Sequence, residues 1–250
     1  MINTLKAEFK KLLTVRSTYI ITLLVTLLVI FVAFYIEGWR LDSAALRDPT
    51  QLASDVTNAL NISVFGAIVA ILLMSHEYRY NTIMHTLTNS NSRSKVLLSK
   101  FLVVSAYALF LAVLIGVLSP VMAYLGVHLH GHALVPQSLH YGDLIWRSLF
   151  YSWGYGMAGL LLALLTRNQV ASIVALFLIP DLGEPLLGLL LKHNTVYLPF
   201  SSLNQVVRTG DMGNPNNGTL TPGKAALVYG IYLVVGWLAA WILFLRRDAS

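Results

Sequence analysis

The chain has 250 residues, of which 11% are charged and 56% hydrophobic, with no cysteine and a net charge of +6. Soluble chains carry roughly 25% charged residues, so this one cannot clothe a water-facing surface and is read as an all-α, polytopic membrane protein. The missing cysteines exclude disulfides, thiolate metal sites and cysteine nucleophiles.

The first element is a basic leader, residues 1–18. Ile2, Leu5, Phe9, Leu12 and Leu13 fall within about 100° of arc at about 100° per residue, and Lys6, Lys10 and Lys11 lie outside it. This pattern predicts an interfacial amphipathic helix, its lysines toward anionic lipid headgroups. A cleavable signal peptide is not expected, because the basic lead is too long.

Six apolar stretches then approach the roughly 20 residues that a bilayer crossing needs: 19–36, 59–75, 101–127, 144–165, 170–191 and 225–245. They make a single six-span transmembrane domain over 19–250. Between the second and third lies the only sizeable loop on the side of the chain termini, residues 76–100. In it Asn81-Thr82 can break and cap a helix, and Ile83, Met84 and Leu87 share one face of the short helix that follows. A second polar break, 89–92, precedes the basic entry to the third span. From these residues alone, a knob for a partner protein and an ordinary solvated loop are equal readings.

Several motifs resemble chemistry and fail their context. His76-Glu77 lacks the second histidine of a zinc-protease helix, and no G-x-S-x-G occurs. His128, His130, His132 and His140 have no close carboxylate, so no metal site is assigned there. Gly154-Tyr155-Gly156-Met157-Ala158-Gly159 spells a dinucleotide fingerprint inside an apolar span without a preceding strand, and is read as a surface for close helix packing. Residues 218–225 approach a phosphate loop, but Ala225 stands where the Mg²⁺-holding hydroxyl would be. No enzyme and no cofactor are therefore expected on this chain.

In the fifth stretch, Pro180-Asp181-Leu182-Gly183-Glu184-Pro185 is predicted to break the span, leaving a broken end and an outer loop over 180–224. Asp181 and Glu184, three residues apart, would share a face if helical. They are read as part of an outer gate or substrate pathway, with Pro180 and Pro185 shaping the backbone. The alternative is that the span stops near Pro180 and both carboxylates are solvated.

Charge placement sets the orientation. The segments on the side of the termini carry Lys6, Lys10, Lys11, Arg16, Arg79, Arg93, Lys95, Lys100, Arg167, Arg246 and Arg247 against Glu8, Glu77 and Asp248. The opposite side has six basic and eight acidic residues. By the positive-inside rule both termini are cytoplasmic. Topology thus accounts for the basic excess, and no nucleic-acid partner is expected.

The loop 76–100 resembles that of the permease subunits of type 2 ATP-binding-cassette (ABC) exporters. Their motif runs from an acidic residue through Gly-Thr and a Leu-rich turn to a Thr-Pro-x-Ser-Arg-like element and a lysine. Glu77, Thr82, Ile83, Leu87, Ser92, Arg93 and Lys100 match it; Asn81 and Ser90 replace the usual Gly and Pro. The leader, the six spans, the interrupted fifth span and the closing Phe244-Leu245-Arg246-Arg247-Asp248 extend the resemblance over the whole chain.

The resemblance implies a multi-pass permease of the bacterial plasma membrane. It would pair with a second permease chain, identical or homologous, and with cytoplasmic ABC ATPase subunits that hold ATP and Mg. The implied coupling helix is 81–89, with Glu77, Arg79, Thr82, Ile83, Met84, Leu87 and Arg93 as the ATPase-coupling residues. Family exporters move drugs, antimicrobial peptides, lipid-linked glycans or ions, and the short outer loops fit the compact peptide- or antibiotic-efflux type. The competing reading is an ATP-independent secondary transporter or channel. Such proteins place ionisable groups deep in their spans, and these stretches hold almost none besides Asp181 and Glu184.

Overall fold

The computed structural model describes residues 2–41, 45–79, 93–138, 140–208 and 219–246. The expected coupling helix 81–89, with Thr82, Ile83, Met84 and Leu87, lies outside them.

Among the described residues there are helices and no strands. The leader is α1 (Ile2–Thr14). At Val15 the backbone turns extended, and this break separates the leader from the first crossing. The first span, Arg16–Trp39, is α2 (Arg16–Phe31) continued by a π-helical stretch Val32–Trp39. The second span, Gln51–Tyr78, joins α3 (Gln51–Ala59) and α4 (Val64–Arg79) through one 3₁₀ turn. The third is α5 (Arg93–Leu129), with Pro120 inside it, and the fourth is α6 (Tyr141–Thr166).

Between the fourth and fifth spans the turn is short and specified by side chains. Arg167 takes a left-handed φ of 53°, as a helix C-terminus commonly does. Asn168 then caps the next helix, its side chain accepting from the backbone N–H of Val170 and Ala171 at 2.9 and 3.1 Å. The fifth span, Gln169–Leu191, comprises α7 (Gln169–Leu178), a π turn Ile179–Gly183 and α8 (Glu184–Leu191). A 3₁₀ segment and α9 (Pro199–Val207) follow, before α10 (Pro222–Arg246) makes the sixth span.

At the predicted break, 180–185, the α-helix gives way to a π turn, Ile179–Gly183, and the span stays helical to Leu191. Proline lacks the N–H and crowds the preceding turn. Here the wider π turn accommodates it, a common way for helices to absorb such a residue.

The second and fourth spans form the centre, with 56% and 61% of their apolar windows buried, against 17%, 11% and 22% for the first, fifth and sixth. Gly159 is what lets them approach. A Cβ there would stand 2.8 Å from the Cα of Ala67 on the second span, so only glycine fits. Gly154 and Gly156 lie against Tyr229 and Ala108 in the same manner. The fingerprint-like run is thus a packing surface. Polar groups inside the bundle are matched to one another: Ser63 Oγ meets Ser152 Oγ at 2.7 Å, and the Tyr229 hydroxyl donates to the Gly154 carbonyl at 2.8 Å. The peripheral spans carry rows of exposed leucine and valine, as lipid or a second membrane chain requires.

Candidate functional site

Among the described residues, the most concentrated charge lies where the leader meets the end of the second span and the start of the third. Glu8 sits on α1, Glu77 on the last turn of the second span and Lys100 near the start of the third; Glu8 and Lys100 are fully buried and Glu77 nearly so. Lys100 Nζ lies 2.8 Å from Glu8 Oε2 and 2.9 Å from Glu77 Oε1. Lys11 completes the square, 2.6 Å from Glu8 Oε1 and 2.5 Å from Glu77 Oε1. Two acids and two bases make a neutral set, and each lysine bridges both carboxylates. Lys100 also points at the Leu73 carbonyl, at 3.5 Å.

The local sequence explains the convergence. Glu8 and Lys11 are three apart on one helix and so face the same way. Leu12 is buried and Leu5 packs on the core, which seats that face of the leader against the bundle. Phe9 and Leu13 remain exposed on the lipid side, and Lys6 and Lys10 are exposed too. The leader is amphipathic as expected, but Lys11 departs from the expectation for the three lysines. It turns toward the buried carboxylates of Glu8 and Glu77.

Burial alone would push the Glu8 carboxyl upward, but Lys100 and Lys11 together hold it below its ordinary range. For Lys11, burial works downward, and the hydrogen bonds to Glu77 and Glu8 overcome it and leave the ammonium above its ordinary value. Both groups are held charged by each other. Buried charge of this kind is tolerated only when paired and hydrogen-bonded.

Glu77 therefore spends its carboxylate inside the chain. It is 5% exposed, with its Oε1 in ion pairs to Lys11 and Lys100. Lys100, at the other flank of that segment, is ionically tied to it. The two flanks are fastened to each other and, through Glu8, to the leader. Arg79 and Arg93 belong to the helices on either side. A further tie comes from the fourth-to-fifth turn, where the Arg167 guanidinium lies over the Tyr78 ring, 5.5 Å from its centre.

The opposite end of the fifth span behaves differently from the gate expected there. Asp181 and Pro185 are exposed, while Glu184 is buried. The Glu184 carboxylate accepts from the backbone N–H of Phe200 and of Ser201, both at 2.6 Å, and from the Ser201 hydroxyl at 2.5 Å. Phe200 and Ser201 are in the first turn of α9, whose N-terminal N–H groups have no helical acceptor. Glu184 is thus a remote N-cap, favoured by the helix dipole. Glu184 is not a solvated loop residue; it fastens α9 to the fifth span.

The outer histidines are exposed. The His130 ring lies tilted against Trp39, with centres 4.6 Å apart, and against His132, at 5.0 Å. Among the described residues no three His, Asp or Glu side chains converge as a metal site would need.

Sequence reasoning missed Glu8. The signal available was a lone carboxylate three residues before Lys11 inside a basic leader, which reads as a solvated pair. Lys100 was recognised only as the end of a motif.

The family profile described as ABC-2 family transporter protein matches residues 4–180. That span takes in the leader, the first four crossings, the whole of 76–100 and the fifth crossing as far as Pro180. No curated protein matches the chain.

Proposed function

From the premise that the chain belongs to the ABC-2 family of transporter proteins, we propose that it is the permease subunit of an ATP-driven exporter. It is a multi-pass membrane protein with six spans. In this reading the face bearing the four-charge junction is cytoplasmic, in a bacterial plasma membrane. A second permease chain, identical or homologous, covers part of the exposed peripheral surface, and two ABC ATPase subunits dock beneath. ATP and Mg are held by those subunits, since this chain lacks its own phosphate loop.

The observation that carries the reading is the junction of Glu8, Lys11, Glu77 and Lys100 at the base of the segment 80–92. A segment that receives force from an ATPase must pass it to the spans without absorbing it. Four charges locked at 2.5 to 2.9 Å couple both flanks of the segment and the leader into one body. Closure of the ATPases would displace 81–89, shift the inner ends of the second and third spans together, and slide the leader in the headgroup plane. That movement would switch the path between the two permeases from inward- to outward-facing.

Ile83, Met84 and Leu87 would fill the ATPase groove, with Arg79, Thr82 and Arg93 at its edges. Replacing Leu87 by Asp puts a charge into that contact. The purified complex of Leu87→Asp should lose substrate-stimulated ATPase activity or shed its ATPase, with the permease still folded. An intact complex with wild-type stimulation would overturn the assignment.

A further inference from the structure

Beside the four-charge junction, the leader, the start of the first span and the end of the second enclose a cleft of about 250 Å³. Its walls change from polar to apolar in one direction. At one end stand Ser17 and Thr18, in the first turn of α2, and Glu77, in the last turn of the second span. These are the points at which the two spans begin and end, so this end lies at the membrane surface. Leu73, Leu72 and Val69 then carry the wall along the second span. Val69 lies roughly 12 Å from the level of Glu77, at about 1.5 Å per residue. Leu12 closes the cleft from the leader.

The polar end holds two unmet demands of opposite sign. Helix α2 opens at Val15 without a side-chain cap, and the Thr18 N–H reaches back only to the Val15 carbonyl, at 3.1 Å. The N–H groups of such a first turn, with the helix dipole behind them, favour an anion. The Ser17 and Thr18 hydroxyls, which have no hydrogen bond among the described residues, add donors there. On the facing wall, Glu77 is 5% exposed, and its Oε1 takes both Lys11 and Lys100. Its Oε2 is buried with no hydrogen-bond partner, a cost that an N–H donor would remove. Lys11 also lines the cleft, but it is already committed to Glu8 and Glu77.

The ligand that meets these demands carries an anion and an N–H cation at one end and a hydrocarbon chain at the other. The junction itself is neutral, so a zwitterion leaves no charge unbalanced. We propose that the cleft holds one molecule of phosphatidylethanolamine from the surrounding bilayer. Its phosphate would sit at the first turn of α2, accepting from the Ser17 and Thr18 hydroxyls. Its ammonium would donate to Glu77 Oε2, and one acyl chain would run over Leu73, Leu72 and Val69. A choline headgroup has no N–H for Glu77, and a glycerol headgroup brings a net negative charge to a buried carboxylate. The lipid would tie the start of the first span to the end of the second, where the leader already meets both. The inference stands on this chain in its membrane and does not depend on an ATPase partner.

The test is native mass spectrometry of the full-length protein in detergent, titrated with phosphatidylethanolamine, phosphatidylcholine or phosphatidylglycerol of identical acyl chains. The wild type should retain a single phosphatidylethanolamine under activation that strips the other two. Its preference should be about tenfold, as hydrogen bonds to charged groups provide. Ser17→Ala/Thr18→Val removes donors at the phosphate end and should weaken that binding by about tenfold. Leu72→Trp fills the apolar wall and should abolish it. Thermal unfolding without lipid checks that each variant is folded, and added phosphatidylethanolamine should raise the midpoint of the wild type more than that of either variant. Equal retention of the three lipids, or a phosphatidylethanolamine adduct unchanged in the folded Ser17→Ala/Thr18→Val variant, overturns the proposal.

Discussion

Replacing Lys100 by Met is the sharpest test of the inner junction. The methylene stem is kept, so packing changes little, but the ammonium that lies 2.8 Å from Glu8 and 2.9 Å from Glu77 is removed. Lys11, about a third exposed, must then serve two buried carboxylates, and the set passes from neutral to a net negative charge. Removing one partner of a buried ion pair costs about 3–5 kcal/mol, mostly because the other charge is stranded. Chemical unfolding in mixed micelles should show a loss of that order. The compensating variant Lys100→Met/Glu8→Gln leaves Lys11 and Glu77 as a neutral pair, so the two losses should fail to add by about 0.5–3 kcal/mol. The pH profile gives an independent arm. Glu8 is held low, so its contribution is full above the ordinary glutamate range and fades as pH falls through its lowered value. Lys11 is held high, so its contribution is full below the ordinary lysine range and fades as pH rises through its raised value. The wild type should therefore have a broad stability plateau between these limits. A Lys100→Met variant within about 0.5 kcal/mol of wild type, together with strict additivity in the double variant, would refute the reasoning.

Two further changes test the frame around the junction. Gly159→Ala should destabilise by about 1–3 kcal/mol, because its Cβ meets the Ala67 backbone, whereas Gly230→Ala, with nothing within 4 Å, should be silent by thermal unfolding. Glu184→Gln keeps the shape but removes the charge from the cap of α9, so amide exchange at Phe200 and Ser201 should accelerate by an amount equivalent to about 1 kcal/mol; unchanged exchange would mean that the charge adds nothing to the cap.

The number and order of the spans were legible because a bilayer crossing is written in consecutive residues. Their ends were not. Hydropathy closes the first span at Ile36 and opens the second at Ala59, since Glu37 and Asp55 count against a window. The folded chain runs these spans from Arg16 to Trp39 and from Gln51 to Tyr78, and buries both carboxylates against neighbours that no window contains. The same limit hid the junction. Glu8 with Lys11 is local and readable, but the partners that make it structural stand 92 residues away at Lys100 and 66 from Lys11 at Glu77. Glu184 was conspicuous in the sequence, and its use was not, because a remote cap is created only when α9 folds back to bring Phe200 and Ser201 to it. Pro180 marked the interruption but not its form: proline excludes the ordinary turn without excluding the wider one.

These placements share a physical logic. Buried charge is confined to the two ends of the bundle, while the middle is held by glycine contacts and neutral hydroxyl pairs. The end beside the leader carries a neutral set cross-linked four ways, so it resists separation. At the far end Glu37 and Asp55 are buried without an ion pair among the described residues. That asymmetry follows from the pairing of Lys100 and Lys11 with Glu8 and Glu77, and from the absence of any such described partner for Glu37 and Asp55.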